Sequence, residues 1–175
     1  MTSYRRNIVP GATYFFTVNL ADRRSRLLVD EIDALRAAFR TTRARHAFTL
    51  DAITVLPDHL HAIWTLPPGD SDFATRWNSI KGTFSRRLPR VEPVSISRKS
   101  RRERGIWQRR YWEHTIRDDD DFARHADYIH FNPVKHGYVE HVADWPCSSF
   151  HRFVQLGLYP MDWAASTHDG KFAER

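Results

Sequence analysis

The 175-residue chain is 41% hydrophobic and 13% aromatic, and its 27 basic residues against 21 acidic give a formal net charge of +6. That length suits one domain with a real core; no apolar run approaches the roughly 18 residues of a transmembrane helix, and MTSYRRNIVPGATYFF at the start lacks a signal peptide's apolar core and cleavage pattern. One cysteine, Cys147, excludes an internal disulfide and a cysteine-based zinc knuckle, so a cytosolic protein is expected.

After Pro10-Gly11, ATYFFTVNL (12–20) is aromatic and β-branched and predicts a strand. VDEIDALRAAFRTTRARH (29–46) carries apolar residues at 32, 35, 38 and 39, the spacing of an amphipathic helix. FTLDAITVLP (48–57) predicts a strand that ends at the Pro57-Asp58 turn, and HLHAIWTL (59–66) a second strand completing a hairpin. A helix is expected from Asp70 to about Phe84. The stretch 85–105, with two prolines, several serines and dense arginine, predicts a mobile loop. GIWQRRYWEHTIR (105–117) returns to strand character. DDDDFARHADYIHF (118–131) opens with four aspartates, which suit a helix N-terminus, and Asn132-Pro133 is expected to end or kink that helix before Gly137 caps the turn. The order β-α-β-β-α-(basic loop)-β-α matches the split βαβ, ferredoxin-like pattern, an α+β fold whose antiparallel sheet has helices on one face.

The charge is unevenly placed. Residues 86–110 hold ten Arg/Lys and two Glu, a local +8, so the remaining chain is close to neutral. A local basic patch is the electrostatic footprint of a polyanion site; a solvated basic loop in an arginine-rich chain, with 23 arginines to four lysines, would look the same. Few apolar residues anchor the segment from Arg98 to Arg104, which is expected to act as a flexible arm meeting phosphates.

Two local patterns carry chemistry. A strand alternates faces, so His59 and His61 point one way and Leu60 the other. Two such imidazoles can hold a metal ion or can sit on a solvated edge. Along the helix 118–131, Phe122, Ala126 and Ile129 form a core stripe. Tyr128 lies off it, with Arg124 one turn back and Asn132 one turn on. A tyrosine hydroxyl is a possible nucleophile for phosphoryl transfer, and a metal opposite it can polarise the phosphate. Two imidazoles and an amide oxygen suit Mn²⁺ or Mg²⁺, with Zn²⁺ also attracted to imidazole. The plainer readings are a half-buried packing tyrosine and a turn asparagine. Trp77 and Trp112 are either core residues or platforms for unpaired bases, core packing being favoured.

The words PDHLHAIWTLP, DYIHFNPVKHGYV and DWPCSSFHRF resemble the REP-associated tyrosine transposases of the single-tyrosine, His-hydrophobic-His superfamily, over almost the whole chain from YRR at 4–6 to GLYPMDWA at 157–164. The resemblance implies a ferredoxin-like fold, a divalent metal, Mg²⁺ or Mn²⁺, and cleavage and joining of single-stranded DNA beside hairpins called repetitive extragenic palindromes. It implies that Tyr128 is the nucleophile, that His59, His61 and Asn132 hold the metal, and that a 5′-phosphotyrosine conserves the ester bond. Asn132 stands where some relatives use glutamine. Residues expected on DNA are Arg5, Arg6, Lys81, Arg86, Arg87, Arg98, Lys99, Arg101, Arg102, Arg104, Arg109, Arg110, Arg124 and Lys135. The catalytic domain is expected over 1–150, with 151–175 a C-terminal extension docked on it. A monomer with no membrane association is expected, a dimer being the alternative. Two rival functions remain open from the residues: a hairpin-binding regulator without catalysis, and a small-molecule metal hydrolase built on the two histidines.

Overall fold

The computed structural model describes residues 7–90, 96–100 and 104–164, except the side chain of Lys99. Its elements are β1 (Thr13–Asn19), α1 (Leu27–Asp30), α2 (Ile32–Arg45), β2 (Thr49–Val55), β3 (His59–Thr65), α3 (Phe73–Arg87), α4 (Ile96–Ser100), β4 (Trp112–Thr115), α5 (Asp119–Lys135) and α6 (Phe150–Gln155), with a 3₁₀ turn at Val142–Asp144. The strands form one sheet in the order β2-β3-β1-β4, antiparallel throughout. This is the expected split βαβ: β1 and β2 are joined across α2, and β3 inserts between them.

Strand alternation divides the core in two. Tyr14, Phe16 and Val18 of β1 and Leu60, Ala62 and Trp64 of β3 face α2 and α3, where Leu35, Phe39, Phe73, Trp77 and Phe84 complete the main cluster. Trp64 and Trp77 stack at 4.2 Å and 24° inside it, so Trp77 is a core residue and no platform for DNA. Phe15, Ala52 and Ile63 face the other way and meet Ala126, Tyr128 and Ile129 of α5 and Phe153 of α6. The α2/α3 layer is the one the pattern anticipates. Helix α5 adds a layer on the opposite face.

Helix α5 corrects an expectation. It runs unbroken through Asn132-Pro133 to Lys135. Pro133 sits in the last turn, where its missing N–H removes a single bond to Ile129, and both Asn132 and Pro133 are buried. Packing outweighs the local bias against a helical residue before proline. Gly137, at φ +70°, then closes the helix as expected: its N–H donates to Val134 O, and that of Tyr138 to Pro133 O, both at 2.9 Å.

Within the stretch read as a loop, α3 runs on to Arg87 and residues 96–100 form α4; residues 91–95 and 101–103 lie outside the described residues. The strand expected across 105–117 is confined to Trp112–Thr115, with Trp107 making a separate bridge to Leu20. The expected arm is anchored where it is described. Arg98 donates to Trp107 O at 3.2 Å, and Arg104 to Leu88 O at 2.8 Å and to the carbonyls of Ser85 and Pro89. Carbonyl acceptors supply the hold that apolar residues do not.

The start of α5 is tied to the sheet edge. Asp118 caps it, accepting the Asp121 N–H at 2.7 Å. Asp121 is itself buried and accepts from His114 Nε2 of β4 at 2.8 Å, from Arg117 Nε at 3.3 Å and from Arg124 Nη2 at 3.3 Å. Burial raises its carboxyl pKa, but hydrogen bonds from His114 and Arg117 outweigh this and hold it well below its ordinary value.

The core stack and the Asp121 cluster can each be tested by substitution. Trp77→Ala should destabilise the fold by about 3–5 kcal/mol and lower its melting temperature by roughly 10 °C, read by calorimetry. Asp121→Asn should cost roughly 2 kcal/mol at neutral pH. Because the folded carboxyl titrates below the unfolded one, that contribution is complete above about pH 4 and fades as the pH falls further. Urea unfolding at pH 7 and pH 3 should therefore show the gap between variant and wild type shrinking at the lower pH.

A candidate metal and tyrosine centre

Helix α5 lies over the sheet face that carries the two histidines. In β3, His59 pairs with Asn19, and His61 pairs with Thr17 on one side and Thr54 on the other. Both imidazoles are buried, His61 fully. Each is held through the same ring atom. His61 Nδ1 lies 2.9 Å from Thr17 Oγ1, and His59 Nδ1 lies 2.7 Å from Asp58 Oδ1, whose other oxygen receives Arg23 Nε at 2.8 Å. A carboxylate can only accept, so His59 carries its proton on Nδ1 and presents Nε2 as a lone pair. Burial pushes His61 well below its ordinary pKa, helped by the charge of its neighbours, and lowers His59 against the opposing pull of Asp58. Both rings are neutral at pH 7, the form that binds metal.

The helix supplies the rest. The ring of Tyr128 stands edge-on to His61 with centroids 5.2 Å apart, and Lys135 Nζ sits 4.9 Å from the Tyr128 ring centroid. Asn132, one turn on, is fully buried. Among the described residues, His61 Nε2 and both amide atoms of Asn132 are buried without a hydrogen-bond partner. Leaving such atoms dry and unpaired costs about 1–3 kcal/mol each. A cation taking the imidazole nitrogen and the amide oxygen would offset that, so this donor set fits a divalent ion.

A second cluster, His114, Asp121 and His125, has its nitrogen and oxygen atoms within 4.8 Å of one another. Its donors are already engaged. Asp121 accepts from His114 and both arginines, and His125 Nδ1 lies 2.8 Å from the Asp121 carbonyl. Both oxygens of its carboxylate are taken, one by His114 and Arg117 and the other by Arg124, which leaves little for a cation to gain there.

The residues expected on DNA are scattered. Lys81 donates to Gln108 O at 3.0 Å and lies against the rings of Trp107 and Tyr111. Arg86, Arg98, Arg104 and Arg109 line a cavity of about 540 Å³ with Lys81 and Trp107. Arg87 and Arg110 are exposed, Arg124 belongs to the Asp121 cluster, and Lys135 lies at the tyrosine. Arg5, Arg6, Arg101, Arg102 and the Lys99 side chain lie outside the described residues.

Several neighbours of the centre escape a reading of the sequence alone. Asp58 stands beside His59 in PDHLH, yet reads as a turn residue after proline. Thr17 reaches His61 only through strand pairing. His136, whose ring lies 5.4 Å from that of His59, falls one turn beyond Asn132. The helical spacing 128, 132, 136 would have found it, but only for a helix that passes through Pro133.

Known proteins share both the sequence and the fold. Residues 9–132 match the model of the family described as transposase, IS200 like. An Escherichia coli K12 REP-associated tyrosine transposase is 46% identical over 175 residues, spanning all of this chain and 98% of its own. A Haemophilus influenzae protein named as a putative REP-associated tyrosine transposase is 48% identical over 167 residues, 95% of each chain. A solved REP-associated tyrosine transposase bound to a REP hairpin superposes with a TM-score of 0.84 at 46% identity, covering all of this chain and 98% of that one. The chain belongs to the IS200-like transposases, and its full-length relatives place it among the REP-associated tyrosine transposases.

Proposed function

We infer that this protein nicks and rejoins single-stranded DNA beside hairpins of the repetitive extragenic palindrome type, with Tyr128 as nucleophile and His59, His61 and Asn132 as metal ligands. The observation that carries this reading is the edge-on contact of Tyr128 with His61, beside an imidazole nitrogen and an amide that have no partner of their own. A structurally similar relative bound to a REP hairpin supports the choice of DNA. Among the described residues, no helix is long and apolar enough to cross a membrane.

The Tyr128 hydroxyl oxygen attacks the scissile phosphorus. The bond from phosphorus to the 3′-oxygen breaks, the phosphate stays on Tyr128 as a 5′-phosphotyrosine, and the freed oxygen takes up a proton as a 3′-hydroxyl. Attack by a 3′-hydroxyl reverses the exchange and rejoins a strand. One ester replaces another, so no nucleotide cofactor is consumed. A bound divalent ion, Mg²⁺ or Mn²⁺ given the mixed nitrogen and oxygen donors, supplies charge stabilisation at the phosphate. Asp58 and Thr17 fix the two rings through Nδ1. Lys135, over the Tyr128 ring, favours the phenolate that forms as the strand is resealed. The intact tyrosine and ligand set distinguish this reading from a non-catalytic hairpin binder.

Tyr128→Phe removes only the hydroxyl, so it should abolish the covalent protein–DNA adduct on a denaturing gel while hairpin affinity stays within about threefold. An adduct formed by the Phe variant would move the nucleophile elsewhere. The ligand assignment has its own test in Mn²⁺ titrations followed by paramagnetic resonance. His61→Ala should leave no measurable site, and Asp58→Asn, which only misorients His59, should weaken the metal by about 10–100-fold.

A further inference from the structure

Beside the tyrosine centre, β4 and the first turns of α5 build a feature that the metal chemistry does not use. Trp112 is 41% exposed, whereas Trp64 and Trp77 are wholly buried. Its ring lies parallel to that of His114, at 7° and 5.9 Å, and His114 lies nearly parallel to His125 at 4.7 Å. The Trp112 and Phe15 rings meet edge to face with centroids 5.6 Å apart, and the Phe15 centroid lies 6.0 Å from that of Tyr128. A flat aromatic surface is thus propped from beneath and kept partly open to solvent, one ring away from the nucleophile.

The same His114 bonds the buried Asp121, which also holds Arg117 and Arg124. Those two arginine side chains are 68% and 53% exposed, although each is pinned to the carboxylate. Asp118, Asp119 and Asp120 stand on the same turn, so it carries no surplus positive charge; what the two arginines offer is position, each being held to Asp121 before any ligand arrives, which lowers the ordering cost of gripping an anion. An exposed ring and an exposed pair of held arginines, joined through one histidine, match the two parts of a nucleotide: a base to stack and a phosphate to grip.

We propose that Trp112, Arg117 and Arg124 form a seat for one unpaired nucleotide of the DNA strand that flanks the scissile phosphate, its base stacked on Trp112 and its phosphate held by the two arginines. The proposal rests on the reading of this chain as an enzyme of single-stranded DNA. The seat is sequence-tolerant, since every base offers a flat face and every phosphate is alike. Its role is to fix the strand's path across the nucleophile.

The test uses the full chain in EDTA, where strand cleavage is not read. The probes are a short oligothymidine, a hairpin with a single-stranded flank and the same hairpin with a blunt end. Oligothymidine should quench the tryptophan fluorescence of the wild type, and Trp112→Phe should remove most of that quenching while holding affinity within a few-fold. Trp112→Ala should weaken the flanked hairpin about tenfold and leave the blunt one unchanged. The Arg117→Ala/Arg124→Ala double variant should flatten the log–log salt slope for the flanked hairpin by roughly 0.7, the contribution of the one phosphate charge that is no longer neutralised. Circular dichroism and the urea midpoint check that each variant is folded, and the Phe variant serves if the Ala variant is not. Equal losses on flanked and blunt hairpins, quenching that survives in Trp112→Phe, or an unchanged salt slope would each overturn the seat. A wild type that is quenched through Trp112 but forms no adduct with metal present would refute the catalytic reading and leave the seat standing.

Discussion

The placement of helix α5 across β2 and β3 is the constraint on which the centre depends. A strand repeats every two residues and a helix every 3.6, so the two lattices bring chosen residues together only for one position and rotation of the helix. Here Ala126 and Ile129 seat it on Ala52, Ile63 and Phe15. That rotation sets the Tyr128 ring against His61. At the far end, Asp121 ties the helix to β4 through His114, so the helix is fixed by an apolar contact along its length and a charged one at its start.

The polar groups fall into two classes that the sequence does not separate. His114, His125 and Asp121 satisfy one another, and their arrangement is an anchor. His61 and Asn132 are fully buried but, among the described residues, leave atoms without partners. Folding does not by itself favour such a site, because each dry polar atom is destabilising. The helix persists across it because the surrounding apolar contacts and the Gly137 cap hold it there. Neutral imidazoles, kept so by burial, are the state that a cation needs and that a proton would block.

Positive charge is likewise divided between structure and surface. Arg98 and Arg104 bind backbone carbonyls and fasten the segment after α3, and Lys81 bridges α3 to Gln108. These cations have work inside the fold. Arg117 and Arg124 are held at one point and exposed at the rest, which combines a fixed position with an accessible charge. Counting arginines along the chain finds the basic region and cannot sort these roles.

Local pattern in the sequence determined the order of the elements, the face shared by His59 and His61, the core stripe of α5 and the family words around Tyr128. Those features depend on neighbours a few residues apart, where periodicity and turn chemistry act directly. Tertiary structure alone decided the rest. Asn132-Pro133 reads as a helix end by local bias, and only burial of both residues carries the helix through to Lys135. Asp58 reads as a turn residue until His59 is beside it with Nδ1 in reach. Trp77 and Trp112 are indistinguishable as letters; one is buried in the core against α2 and the sheet, while the other lies on an edge strand and is partly exposed. In each case the deciding free energy comes from contacts distant in sequence, and the chain carries no local sign of them.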